Sequence, residues 1–126
     1  MTNSTTLHED LENLSAGTLD RHRAIASLME ELEAVDWYDQ RMEAATDGEL
    51  RKILAHNRDE EKEHAAMMIE WLRRNDEVFD RHLKTYLFSA RSVVDLEAED
   101  TGKADDAGDV GGTLAVGSLR QEAANE

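Results

Sequence analysis

The sequence of 126 residues contains no cysteine and no proline, and it has no long run of apolar residues. Without cysteine there is no disulfide framework, and without proline no helix of the chain is interrupted. No stretch approaches the roughly 20 apolar residues of a membrane-spanning helix. Because residues 1–6 are polar and lack the apolar core of a secretory signal, we expect a cytoplasmic protein without a membrane partner.

Basic residues are also scarce, since 14 Lys and Arg stand against 29 Asp and Glu and give a formal net charge of -15. Such a chain repels nucleic acid and attracts cations, although an acidic surface also serves ordinary solubility. The hydrophobic fraction of 40% supports a modest core. Because a unit of two helices cannot enclose that core, we expect the chain to assemble with other copies.

What the sequence does contain is a helical pattern, with apolar residues spaced three and four apart. It predicts a first long helix from about residue 18 to 45 and a second from the turn at 46–49 to about residue 74. So short a connection makes an antiparallel hairpin. We therefore predict an all-α fold, with a flexible N-terminal segment at 1–17 and a hairpin plus short third helix at 18–91.

Ionisable side chains interrupt the apolar stripe of each long helix. Glu31 occupies a core position of the first helix, and Glu61 and His64 occupy core positions three residues apart on the second. Burying these groups without partners would cost on the order of several kcal/mol, so water or a cation must satisfy them. A metal ion is the simplest partner that would satisfy these groups.

One Glu on one helix and a Glu-x-x-His motif on the next make half of the ligand set of ferritin-like di-iron bundles. A homodimer with its two-fold axis through the site would supply the other half and complete a four-helix bundle. The residues alone leave two other interpretations open, namely a solvated seam and a buried ion pair with Arg58.

More acidic and histidine side chains lie on the faces beside these stripes. Their spacing suits transient metal binding, and it equally suits a solvated acidic face with salt bridges to Arg58 or Lys62. The residues on these faces are Glu30, Glu33 and Trp37 on the first helix, and His56, Glu60 and Glu63 on the second.

The composition changes near the C-terminus. Residues 92–112 are rich in Asp, Glu, Gly and Ala, which predicts a flexible, self-repelling linker. Residues 113–121 form a small apolar island that is typical of a docking peptide, although short apolar tails also arise by chance. In this segment Leu114, Val116 and Leu119 would fill pockets on a partner, and Gly117 and Ser118 would permit a bend before Arg120.

Two runs of the sequence, Met29–Arg41 and Leu54–Ala65, closely resemble the encapsulated ferritins, and the resemblance extends over about residues 21–88. The tail from Leu114 to Arg120 resembles the cargo-loading peptide by which such proteins enter encapsulin nanocompartments, which are icosahedral protein shells. Two residues depart from the family pattern. Gly48 stands where proline is expected in the hairpin turn, and Ala115 stands where threonine is expected in the peptide.

The resemblance implies a ferroxidase that oxidises Fe(II) to Fe(III), with oxygen as the oxidant, and delivers iron for mineral storage inside an encapsulin shell. Its di-iron site would lie between two subunits, and its dimers would assemble into a ring-shaped decamer. The alternatives are a non-catalytic metal-dependent helical assembly and a metal-free acidic adaptor.

The same resemblance assigns roles to individual residues. Glu31, Glu61 and His64 would be the iron ligands, and Trp37 and Tyr38 would lie beside them as further catalytic residues. Family precedent also implies a metal-attracting site at Glu30 and Glu33, an outer metal site at His56, Glu60 and Glu63, and shell docking through Leu114, Val116, Gly117, Ser118, Leu119 and Arg120.

Overall fold

A computed structural model describes residues 6–106 of the chain, and within that range every regular element is a helix. The described elements are a 3-10 helix at Leu11–Asn13 and four α-helices, which are α1 (Ala16–Ala44), α2 (Gly48–Arg74), α3 (Glu77–Tyr86) and α4 (Val93–Asp106). The all-α prediction is confirmed. The chain divides into two compact units, one ending at Asn75 and the other beginning at Asp76. This boundary falls inside the region 18–91 that the sequence suggested as a single unit.

The first unit is built on the hairpin of α1 and α2, which pack against each other. Only three residues separate the two helices, so they run antiparallel as predicted. Ser15 caps α1, because its hydroxyl accepts the Thr18 N–H at 3.1 Å. Asp47 caps α2 in the same way, accepting the Leu50 N–H at 2.9 Å.

The N-terminal segment differs from the prediction of a flexible stretch at 1–17. The cap at Ser15 lets α1 begin at Ala16, so Ala16 and Gly17 belong to the helix. Residues 11–13 add a 3-10 turn that closes with the Leu14 N–H donating to the Leu11 carbonyl at 3.1 Å. Gly17 is tolerated because it lies in the first helical turn, where the cap supplies the missing stabilisation.

Gly48 is the first residue of α2, a position that favours proline. A Cβ placed there would meet nothing within 4 Å, and the preceding Asp47 is extended, with φ -75 and ψ 127, as a residue before proline must be. We therefore expect Gly48→Pro to raise the free energy of unfolding by about 0.4–1 kcal/mol, mainly by restricting the unfolded chain. Urea unfolding followed by circular dichroism measures this, with Gly48→Ala as the control. A less stable Gly48→Pro protein would contradict the prediction.

The second unit contains α3 and α4, which contact each other. Asp76 caps α3 by accepting the Phe79 N–H at 3.0 Å. Beyond α3, Phe88 adopts a left-handed backbone conformation with φ 62, and its side chain is fully exposed. This conformation ends the helical path before α4 begins.

The helix α4 is a correction to the prediction of a flexible linker at 92–112, because residues 93–106 of that stretch are helical. Ser92 accepts the Asp95 N–H at the start of the helix at 3.4 Å, and Arg91 forms an ion pair with Glu99. Leu96 and Asp100, four residues apart, are both buried. Burial of Leu96 stabilises the helix despite the mutual repulsion of the many acidic residues in this stretch.

No helix within residues 6–106 has the length and apolar character needed to cross a membrane. The predicted docking segment at 113–121 and the last part of the predicted linker lie outside the described residues.

Candidate metal centre

The hairpin brings together the three ionisable side chains that interrupt its apolar stripes. His64 Nδ1 lies 3.4 Å from Glu61 Oε1 on the same helix and 3.6 Å from Glu31 Oε1 on the neighbouring helix. One ligand atom from each of the three residues lies within 4.8 Å of the other two. The fold therefore brings the carboxylates of Glu31 and Glu61 together, although the two residues are thirty positions apart in the sequence.

The chain folds this way because Glu31 and Glu61 are equally distant in sequence from Thr46 in the turn. Two antiparallel helices of equal rise, paired around that turn, set the two positions opposite each other. His64 follows Glu61 by three residues, so it lies on the same face one turn further on. The geometry of the cluster thus follows from the turn and from helical periodicity.

The three side chains of this cluster shift one another's pKa values. A hydrogen bond to Glu61 raises the pKa of Glu31, and desolvation adds to the effect. The same hydrogen bond lowers the pKa of Glu61. The pKa of His64 is raised, chiefly by its hydrogen bond to Glu61. Because a metal ligand must be deprotonated, the raised pKa values of Glu31 and His64 link cation binding at this cluster to proton release.

The donor set fits a divalent transition metal. Two carboxylate oxygens and one imidazole nitrogen are ligands that iron, manganese and zinc all accept. The side chains of Glu31 and Glu61 are 25% and 26% exposed, and that of His64 is 45% exposed, so the cluster faces outward from the hairpin. Three donors from one side leave coordination positions available to a further molecule.

The alternative of a buried ion pair with Arg58 is not the arrangement in the structure. Arg58 crosses from α2 to donate to Asp39 at 2.9 Å and also donates to Asp59 at 3.1 Å. The hydrogen bond to Asp39 raises the pKa of Arg58, and the hydrogen bond from Arg58 lowers the pKa of Asp59. Arg58 therefore links α2 to α1 and pairs with residues outside the cluster. The sequence analysis considered Arg58 but missed its partner Asp39.

The neighbouring acidic faces are more open. His56 Nε2 lies 3.7 Å from Glu60 Oε2, with side chains 71% and 49% exposed. Lys62 pairs with Asp59 at 3.5 Å. Glu30, Glu33 and Glu63 are exposed. Among residues 6–101, the Glu31 cluster is the one place where three potential ligands converge, so the two further metal sites stay predictions.

The aromatic pair on α1 has a partner that the sequence analysis missed. The Arg41 guanidinium lies 5.7 Å from the Trp37 ring centroid and 5.5 Å from the Tyr38 ring centroid. The signal was present in the sequence, because a cation three and four residues beyond two aromatic residues lies next to both on a helix.

Antiparallel long helices that carry a Glu on one and a Glu-x-x-His on the other are characteristic of ferritin-like proteins, and the fold places this chain in that class. The family model named EncFtn-like matches residues 6–90. The chain belongs to this family of encapsulated ferritin-like proteins, and the resemblance read from its sequence is confirmed.

Individual relatives agree with this assignment. The chain is 57% identical to the "Encapsulated ferritin-like protein" of Rhodospirillum rubrum, over 96% of this chain and 92% of the relative. It is 49% identical to the "Ferritin-like protein" of Thermotoga maritima, over 89% of this chain and 96% of the relative. A crystal structure of a protein from Nitrosomonas europaea shares the fold with a TM-score of 0.67 and 60% identity, covering 69% of this chain and 96% of that one.

Proposed function

We propose that the protein is a ferroxidase that oxidises Fe(II) to Fe(III) at a di-iron site formed between two subunits. The observation that carries the proposal is the convergence of Glu31, Glu61 and His64, whose ligand atoms lie within 4.8 Å of one another. Iron is the substrate here. The donor set alone also accepts zinc or manganese, and membership of the ferritin-like family is what favours iron.

One chain offers half of a site. Two hairpins related by a two-fold axis would contribute four carboxylates and two imidazoles, and the four negative charges would balance two divalent ions. The outward exposure of the cluster supports a partner chain at this face. The apolar side chains that the hairpin leaves half exposed support association as well, and they include Ile25, Leu32, Leu50, Ile53 and Met67.

The residues of the cluster have distinct chemical tasks. Glu31 and Glu61 supply hard oxygen donors, which favour the ferric product over the ferrous substrate and so assist the loss of an electron. Iron would compete with protons for these groups, because the pKa values of Glu31 and His64 are both raised and a metal ligand must be deprotonated. Two Fe(II) ions lose two electrons in total, and oxygen is the proposed acceptor.

The product is proposed to be stored inside an encapsulin shell. Support comes from the name of the Rhodospirillum rubrum relative, "Encapsulated ferritin-like protein", and from the apolar segment at 113–121 of this chain. Dimers would assemble into a ring-shaped decamer, which is open and cannot confine ferric mineral by itself. The shell would then provide the storage volume that the ferroxidase lacks.

Assembly is expected to depend on metal, because ions that bind only between two chains favour the associated state by mass action. Adding Fe(II) without oxygen to the metal-free protein should shift its mass from small species toward the dimer and decamer. Native mass spectrometry measures this shift, and the His64→Ala protein, with two imidazoles fewer per site, should show less of it. A metal-free protein that is already decameric at low concentration would contradict the prediction.

A further inference from the structure

Arg41 places one cation over two neighbouring aromatic rings. Its guanidinium carbon lies 5.7 Å from the centroid of Trp37 and 5.5 Å from that of Tyr38. Both distances fall within the roughly 6 Å at which a cation is attracted to an aromatic face. Arg41 lies in the last turn of α1, and its carbonyl accepts the Ala45 N–H that closes the helix at 2.9 Å. The backbone that carries the guanidinium is therefore anchored.

The rings of Trp37 and Tyr38 both lie at positions where they are at risk of oxidation. The Trp37 side chain is 48% exposed, so dissolved oxidants reach it. Tyr38 lies seven residues beyond Glu31, which puts it two helical turns along on the same face, about 10 Å further along the helix axis. Indole and phenol rings lose single electrons readily.

We propose that Arg41 is a positioning residue that holds Trp37 and Tyr38 in place and makes both rings harder to oxidise. A guanidinium is attracted to the electron-rich face of a neutral ring. When the ring loses one electron it becomes positively charged, and the attraction turns into repulsion. Because arginine is protonated at every relevant pH, this effect does not depend on pH.

The oxidation step balances in electrons and protons. One electron leaves the ring and reduces the oxidant by one electron, and the ring radical cation then releases its N–H or O–H proton to water. Arg41 disfavours the first of these events and takes no part in the second. The benefit during iron oxidation rests on the proposed function, since iron and oxygen together generate partially reduced oxygen species. The effect on the rings themselves needs no iron.

The test uses the full chain and a photo-excited flavin as a one-electron oxidant. Oxidised Trp37 is measured by peptide mass spectrometry relative to Trp71, which is the only other tryptophan and serves as an internal reference. An exposed cation–π contact corresponds to about a two- to fivefold change in an equilibrium constant, so we expect Arg41→Gln to speed Trp37 oxidation by about that factor. Arg41→Lys keeps a cation there and should restore part of the protection.

Arg51→Gln is the matched control, because it removes one positive charge from the same end of the hairpin, where the Arg51 side chain contacts Met42 Sδ at 3.9 Å. It should leave Trp37 oxidation unchanged. Equal rates in the native and Arg41→Gln proteins would overturn the proposal, and so would an equal increase in Arg51→Gln. A purely structural role for Arg41 predicts no rescue by lysine.

A second arm separates this inference from the proposed function. The native and Arg41→Gln proteins are given Fe(II) and oxygen, and damage to Trp37 is followed over repeated additions. Faster damage in the variant at an unchanged initial rate of iron oxidation is expected. If the native protein fails to oxidise iron, the proposed function falls while the flavin result stands. If iron is oxidised and Trp37 damage is equal in both proteins, protection during turnover is refuted.

Discussion

Replacing Glu61 with alanine is expected to slow Fe(II) oxidation by at least about 100-fold while leaving the helices intact. Loss of groups that only hydrogen-bond a metal ligand typically costs about 10–100-fold, and this substitution would remove two direct ligands from the proposed symmetric site. Glu31→Ala and His64→Ala should behave alike for the same reason. Stopped-flow absorbance records ferric formation, and circular dichroism establishes that the helices have formed.

The matched control is Glu43→Ala, which removes an exposed carboxylate from α1 at some distance along the chain from Glu31. Like Glu61→Ala, it removes one negative charge from the protein. It should therefore keep the native rate of iron oxidation if that rate depends on the metal ligands rather than on the net charge of the protein. A folded Glu61→Ala protein that turns over normally would refute the site assignment. Normal metal-dependent assembly combined with no oxidation by the native protein would instead favour the non-catalytic assembly.

Loading into an encapsulin shell is expected to fail when Leu114, Val116 and Leu119 are all replaced with aspartate. Burial of each apolar side chain would contribute about 1.5–3 kcal/mol of transfer free energy before the cost of ordering the segment. The many tails of one ring would bind together and raise the overall affinity. Three carboxylates in those pockets would remove this gain. Because the segment is remote in sequence from Glu61, the rate of iron oxidation should not change.

Co-expression with the matching shell protein, followed by shell purification and gel analysis, measures the loaded fraction. Ala107, Ala123 and Ala124 lie in the same C-terminal region outside 113–121, so replacing all three with aspartate adds the same charge without touching the proposed anchors. That control should load normally. Undiminished loading of the triple variant at Leu114, Val116 and Leu119 would show that docking occurs elsewhere.

Much of the hairpin could be predicted because its signals are local. Asp47 caps α2 at the predicted turn, and helical periodicity with a short connection was enough to place Glu31 near Glu61 and His64. The roles of these residues as iron ligands stay predictions. Resemblance to a family supplied what periodicity could not, namely the choice of iron among several metals with the same ligands.

The parts that could not be predicted depend on contacts rather than on composition. Residues 93–106 contain many acidic residues and a glycine, so their composition indicates a linker, whereas burial of Leu96 favours a helix. Arg58 was equally able to reach several carboxylates, and only the packing of α1 against α2 selects Asp39. The helix α1 begins two residues before its predicted start, because Ser15 acts as its N-cap.

The helix α4 would also limit the length of the proposed tether to a shell. As an extended chain its 14 residues would span about 46–50 Å, but as an α-helix they span about 21 Å. Only six residues, 107–112, separate Asp106 from the proposed docking segment, and fully extended they reach about 20–22 Å. A docked ferroxidase would therefore stay close to the inner wall of the shell. Ferric ions would then be released at the periphery of the compartment rather than throughout its lumen.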